Sequence, residues 1–183
     1  MKLTEIRAAI VSSISDKLPS LKTCAAHGGR FDKEELQRIG TKAPAVFVSC
    51  LSFGGAEGET GETTAPVKWF LFIVTKDAPR QDKDELAMDM AEALVAHIVG
   101  NDWDLGGVAI EEPTQIVGQN LFSTELDKKG VAMWAVSFTQ KMQLQAAEGF
   151  DTLDDLLRAQ GEATNPGGDT LIETTETLEG ASA

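Results

Sequence analysis

Two long apolar runs dominate the middle of the chain and limit the folds open to it. Ala45–Phe53 (AVFVSCLSF) and Val67–Thr75 (VKWFLFIVT) consist mostly of β-branched, aromatic and other apolar residues. Strands of this kind are buried on both faces, or have one face in the core and the other in an interface. The link over residues 54–66 is rich in glycine and acid and has no apolar anchor. We therefore predict a β-hairpin with a long, mobile tip, longer than most hairpin loops.

Helical periodicity precedes this hairpin. A first helix is expected from Leu3 with Thr4 as its cap, and Pro19 stops it because proline lacks an amide donor. Its apolar stripe is formed by Leu3, Ile6, Ile10, Ile14 and Leu18. Residues 20–44 read as a loop with a short turn of helix near Lys33–Ile39.

A second helix follows the hairpin and is the clearest element of the sequence. The pattern Asp82-x-x-Glu85 is a capping box, and Gly100-Asn101 supplies the C-terminal stop. The apolar stripe between them is formed by Leu86, Met90, Ala91, Leu94, Val95 and Ile98.

A second hairpin is predicted beyond the second helix. A short strand is expected at Val108–Ile110, and a longer one follows at Thr114–Thr124. Val131–Leu144 forms a long strand after the turn at Asp127–Gly130, and it pairs with Thr114–Thr124. The later part of that long strand alternates apolar and polar residues and is expected to be half-exposed. The fold class is therefore α+β: an antiparallel or mixed sheet from two hairpins, packed with two main α-helices in one domain over residues 1–146.

Residues 147–183 are predicted to be an acidic, largely extended or disordered tail. From residue 145 onward the chain carries −8 of the total net charge of −13. A short docking helix near residues 150–157 and a β-prone strip containing Leu171 and Ile172 are its only apolar features, and the strip could add to a sheet edge of a partner. The chain offers no undiluted basic cluster, which argues against direct binding to nucleic acid or to an anionic membrane.

The residues suited to catalysis or metal binding form no complete site in the sequence. Cys24 and His27 have a spacing that could supply two zinc ligands, but a zinc site needs three or four. The acids Asp102, Asp104 and Glu111 are expected by chance in so acidic a chain. We therefore predict no enzyme, no cofactor and no metal. Both cysteines are expected to be reduced, and the N-terminus lacks the apolar core of a signal peptide, which predicts synthesis in the cytoplasm.

The stretch Asn120–Leu144 (NLFSTELDKKGVAMWAVSFTQKMQL) resembles the tail terminator, or tail completion, family of Mu-like phages and prophages. Its hairpin with a Lys-Gly turn before a tryptophan-bearing strand carries the resemblance. Arg30-Phe31 and the strand Ala45–Phe53 fit it as well, so that the resemblance covers about residues 1–145. It implies a subunit that assembles into a ring, typically of six, on the last ring of the tail tube.

In that position the ring would end tube growth and offer a surface to the head connector. The implied partners are a second copy of the chain, the tail tube protein and the head–tail connector, with DNA only passing through the lumen. The implied location is the head-proximal end of the tail in the virion. Residues proposed for partner contacts are Glu57, Glu59, Glu62, Trp69, Lys128, Lys129, Leu171 and Ile172.

Three alternatives stay open at the level of sequence. The chain could be a neck or head–tail joining protein, or a tube subunit, or, in a different class, a small cytoplasmic enzyme or ligand-binding domain. The acidic loop could equally be a solvated hairpin tip, and the tail a solubilising extension. Trp69 could lie in the core instead of an interface.

Overall fold

The computed structural model describes residues 1–30, 33–59, 62–79, 81–144, 158–164 and 170–177. The chain divides into two units, Met1–Gln145 and Ala146–Ala183. In chain order, the first unit contains α1 (Leu3–Lys17), β1 (Thr23–Ala26), α2 (Lys33–Gly40), β2 (Ala45–Phe53), β3 (Glu57–Glu59), β4 (Glu62–Lys76), α3 (Lys83–Ile98), β5 (Thr114–Asn120), α4 (Thr124–Asp127) and β6 (Val131–Leu144).

These strands form one mixed sheet in the order β1-β2-β4-β6-β5, with β3 paired to the start of β4. The β1–β2 pair is parallel and every other pair is antiparallel. The predicted α+β class, the two hairpins and the two main helices are confirmed. The bounds predicted for the strands Ala45–Phe53 and Val131–Leu144 agree with β2 and β6.

The first face of the sheet is covered by α1 and α3. Ile6, Ile10 and Ile14 of α1 and Leu94 and Ile98 of α3 are fully buried. The strand residues that they meet on this face include Val46, Trp69, Leu71, Val136 and Phe138. This cluster is the main core, and it explains the periodicity of both helices.

The second face is covered at one end only, by the shorter helices α2 and α4. Ile39 of α2 and Leu126 of α4 pack there with Phe47, Phe72 and Met133. The central strands β2, β4 and β6 are therefore buried on both faces near this end, which is the reason for their continuous apolar runs.

The strand β1 was not predicted. Thr23–Ala26 pairs in parallel with Ala45–Val48, and the segment between them carries α2 as the crossover that parallel strands need. The prediction of a loop in this region was wrong because the strand is only four residues long and its two alanines disfavour strand structure, so its local signal is weak.

The predicted mobile tip between the first two long strands is also partly wrong. β4 begins at Glu62, not near Val67, and its early residues pair with β3 on one side and with the end of β6 on the other. Residues 60 and 61 lie outside the described residues. The acidic loop is thus largely an extension of the sheet.

Three smaller predictions need correction or stay open. The cap of α1 is Lys2, whose N–H donates to Glu5 Oε2 at 2.9 Å, and Thr4 lies inside the helix. Ala109 makes a single bridge to Met142 instead of a short strand. The docking helix predicted near residues 150–157 lies outside the described residues.

The second unit contains two antiparallel strands, β7 (Arg158–Thr164) and β8 (Thr170–Thr177). β8 lies within the strip predicted to be β-prone, whereas β7 was not predicted. The disorder expected of this tail in isolation stays a prediction.

Candidate assembly surface

The uncovered end of the second face presents a nearly uncharged surface. The register places Ser49, Phe70, Ser137 and Val117 in one row across four strands. A second row, closer to the end of β6, contains Ser52, Lys68, Thr139 and Thr114. We call this surface the open half-sheet and define it by Ser52, Lys68, Phe70, Val117, Ser137 and Thr139.

The open half-sheet is accessible and partly apolar. Val117 is 54% exposed, Phe70 is half-buried, and Lys68 is exposed with its ammonium 5.4 Å from the centre of the Phe70 ring. Lys68 is the only charged member, in a chain whose net charge is −13. An exposed, partly apolar surface on a strongly charged protein is a candidate site for contact with another surface.

At the β2 edge of this surface, the backbone of Gly29 lies close to the side chain of Leu51. A β-bulge between Cys50 and Ser52 turns out Leu51, which is 45% exposed. Leu51 lies against Gly29, where an added Cβ would stand 2.2 Å from its side chain. Gly29 also has a φ of 80°, a region that favours glycine, so both the backbone conformation and the close contact require glycine at this position.

The strand β5 forms the far edge of the sheet, and its outer side pairs with no described strand. Six of its seven residues are exposed, and its sequence TQIVGQN has no charge and no proline. Natural edge strands usually carry charges, proline or a cover that prevents pairing with another chain. An unprotected edge next to the open half-sheet therefore extends the candidate surface. Phe122, which is 70% exposed, lies two residues beyond the end of this strand.

The outward side of α3, unlike the nearly uncharged open half-sheet, carries several acidic side chains. Met88 and Val99 are exposed by 52% and 64%, and Glu85, Asp89 and Glu92 lie exposed along the same side of the helix. None of these three carboxylates makes an ion pair with any of the described residues. We call this surface the outer face of α3.

Comparison with known proteins identifies the family. The model of the family described as Bacteriophage Mu, Gp37 matches residues 2–143, which is most of the chain and nearly all of the first unit. The chain belongs to this family. No curated protein matches it. The resemblance to a Mu-like phage protein is thereby confirmed, and family membership indicates a structural phage protein.

In this Gp37-family chain, the predicted acidic contact residues lie at the end of the sheet beside the open half-sheet. Glu57 is exposed and its Oε2 accepts from Lys141 Nζ at 2.8 Å. That hydrogen bond lowers the pKa of Glu57. Glu62 is exposed, and the backbone of Glu59 pairs with it in the β3–β4 ladder. Lys141 also lies 3.9 Å from Glu111 Oε1, so this corner is an ion-pair network.

The remaining predicted contact residues are not brought together with that corner. Lys128 and Lys129 are exposed in the turn before β6, at the covered end of the sheet. Leu171 and Ile172 lie on β8 in the second unit. Trp69 is fully buried in the first-face cluster, and of the two roles open to it from sequence, the structure shows the core role.

The pair Cys24 and His27 does not form a metal site. The Cys24 thiol donates to the Val11 carbonyl at 3.4 Å on the α1 side of the sheet, and burial raises its pKa to about 11. The His27 ring lies 5.6 Å from the Phe47 ring on the other side. Its Nε2 is 2.7 Å from Glu35 Oε1, and its Nδ1 accepts from the Gly29 N–H at 2.9 Å.

Of the acids Asp102, Asp104 and Glu111, only Asp102 and Glu111 line a shallow depression of about 280 Å³ near Gln140. Asp102 Oδ1 accepts from the Asp104 N–H at 3.1 Å, which is turn chemistry. Among the described residues, no three His, Cys, Asp or Glu side chains are grouped to hold a metal ion. None of the described helices is long and apolar enough to cross a membrane.

Sequence reasoning missed the role of Gln140, which is 1% exposed. Its Oε1 accepts from Trp103 Nε1 at 2.7 Å, and its Nε2 donates to the carbonyls of Asn101 and Glu111. Trp103 has a φ of 61°, which non-glycine residues seldom adopt, and its ring stacks on Phe138 at 5.5 Å. Gln140 thus holds the irregular segment after α3 on the sheet.

The contact between α2 and His27, the residue that follows β1, is predicted to depend on pH. Hydrogen bonds from Arg38 and His27 lower the pKa of Glu35 from 4.5 to about 2. The ionised form therefore stabilises the fold above pH 4.5, and this contribution is lost as the pH falls from 4.5 towards 2. We expect Glu35→Gln to melt at a lower temperature than the wild type at pH 7, with a difference that shrinks through this range.

The matched control is Glu34→Gln, which removes the exposed neighbouring carboxylate. Thermal unfolding of all three proteins between pH 7 and pH 2.5 measures the effect. A difference between the wild type and Glu35→Gln that stays constant across this range would contradict the assigned role of the ionised Glu35.

Proposed function

We propose that the chain is a tail terminator. It caps the phage tail tube as an oligomeric ring of six copies, ends tube growth and provides the surface for head attachment. The observation that carries the proposal is the open half-sheet with its unprotected edge strand β5, in a chain of a phage Mu family. In this role the chain catalyses no reaction and needs no cofactor.

The surfaces of the first unit suit a ring of identical subunits. Its sheet is covered by long helices on the first face and is open at one end of the second, so the molecule presents two different surfaces. Two unlike surfaces that fit each other make a head-to-tail contact, and such a contact gives a closed ring when its rotation closes. Six copies is the number that the resemblance to tail terminators implies.

The acidic corner near Glu57 and the tail with Leu171 and Ile172 are the proposed contacts to the tail tube protein and the head–tail connector. Charged groups at the rim of an interface set the choice of partner more than the affinity. With an overall charge of −13, such a ring would repel the DNA in its lumen and leave it free to pass. The proposed location is the head-proximal end of the tail.

The proposal is tested by electron microscopy of lysates from a phage with an early nonsense codon in this gene. A terminator predicts tails of abnormal and variable length that are not attached to heads. The control is the same phage in cells that supply the intact chain from a plasmid, which should restore tails of normal length.

Other outcomes of the same experiment would replace the proposal. Tails of normal length without heads would indicate a neck or head–tail joining protein, and a lack of tubes would indicate a tube subunit. Fully normal virions would contradict any structural role and reopen the alternative of an enzyme.

A further inference from the structure

The open half-sheet and the outer face of α3 lie on opposite sides of the same sheet. α3 packs on the first face through Met90, Leu94 and Ile98, so its outer face points away from the sheet on that side. The open half-sheet belongs to the second face. A contact between them cannot form within one chain, but it can form between two copies arranged head to tail.

The dimensions of the open half-sheet suit one helix. Four strands about 4.8 Å apart span about 14 Å, and a helix with its side chains is about 10 Å wide. α2 and α4 already pack as helices on the covered end of this face. A further helix at the uncovered end would complete the layer that these two helices begin.

The chemistry of the two surfaces is complementary. The open half-sheet offers the apolar side chains Phe70 and Val117 with the single cation Lys68. The outer face of α3 offers the apolar Met88 between carboxylates that make no ion pair within the described residues. Methionine adapts well to irregular apolar surfaces and makes favourable contacts with aromatic rings.

We infer that the outer face of α3 in one copy docks on the open half-sheet of the next copy. In this contact Met88 packs on Phe70 and Val117, and Asp89 or Glu92 pairs with Lys68. The inference rests on the proposed ring and names the surfaces that build it. Since the two surfaces differ, each subunit uses one of them for each neighbour, and the ring closes without leaving either surface free.

Charge reversal tests the contact on the purified full-length chain. We expect Lys68→Glu, and separately Asp89→Lys combined with Glu92→Lys, to weaken self-association at least about tenfold, because like charges then face each other. Sedimentation velocity over a range of protein concentrations at low salt measures the association. Met88→Asp should weaken it as well, since it places a charge against the apolar side chains.

The matched control is Lys76→Glu. Lys76 is exposed on the same strand and the same face as Lys68 but lies at the covered end, so its reversal should leave association unchanged. Circular dichroism and thermal unfolding of every variant check that the fold is intact. Because the changed residues are exposed, we expect all of these proteins to keep the wild-type melting temperature at protein concentrations low enough for the wild type to be dissociated.

The decisive result is rescue by mixing. An equimolar mixture of the Lys68→Glu chain with the chain reversed on α3 restores both complementary contacts, so it should form the wild-type assembly. The inference would be overturned if the charge-reversed variants associated as strongly as the wild type, or if their mixture did not assemble. Either result would leave the proposed function standing. A wild-type chain that stays monomeric at every concentration and in the phage tail would overturn the proposed ring together with the inference.

Discussion

Replacing Trp69 by alanine is expected to lower the free energy of unfolding by about 3–5 kcal/mol, the range typical of a large aromatic side chain removed from a core. Trp69 is 0% exposed and lies in the first-face cluster under α1 and α3. The sheet around it is held by pairing on both sides of β4, so the cavity can collapse only in part. Chemical denaturation followed by circular dichroism measures the loss.

Two further variants separate the causes of that loss. Trp69→Phe should cost much less, because it keeps most of the apolar contact and removes an indole N–H that has no partner in the described part of the chain. Phe53→Ala, at a position that is 57% exposed, is the matched surface control and should change stability little. If Trp69→Ala kept the wild-type stability but no longer self-associated, Trp69 would lie in an interface, the other role that the sequence left open.

The second large effect is expected at Gln140. Its replacement by leucine leaves the buried Trp103 Nε1–H without an acceptor, which costs about 1–3 kcal/mol. The carbonyls of Asn101 and Glu111 also lose their donor, but both residues lie nearer to solvent and can be hydrated. We therefore expect a lower melting temperature and faster hydrogen exchange over residues 101–111.

The control for this prediction is Gln143→Leu, which changes the same residue type at a half-exposed position three residues further along β6. It should affect neither stability nor exchange. Gln140→Glu adds a check on the hydrogen bonds. A carboxylate can accept from Trp103 but repels the two carbonyls, so this variant should be least stable at neutral pH and recover as its carboxyl group becomes protonated. If Gln140→Leu were as stable as the wild type, the hydrogen bonds of Gln140 would not contribute to stability.

The sequence by itself determined the elements whose signals are local. These signals each span only a short stretch of chain. They are the apolar stripes of α1 and α3, the capping box at Asp82 and the continuous apolar runs of β2 and β4. Such patterns depend on the period of the helix or strand alone, so they can be recognised without knowing what packs against them. The buried first-face cluster was predictable in outline for the same reason.

Elements and surfaces that depend on distant residues were decided by the tertiary structure. β1 is a strand because β2 pairs with it, and β4 extends to Glu62 because β3 and β6 offer partners there. Gln140 looks like one polar position of a half-exposed strand until Trp103 is seen to lie over it.

The candidate assembly surface belongs to this second group. The sequence predicted contacts at charged loops, and it treated the apolar runs as uniform, because it carries no information on how far α2 and α4 reach along the sheet. Only the order β2-β4-β6-β5 brings Lys68, Phe70, Thr139 and Val117 onto one surface. Local patterns therefore determined which residues become helix or strand, whereas strand order and helix coverage, which join residues far apart in the chain, decided which surface is left for a partner.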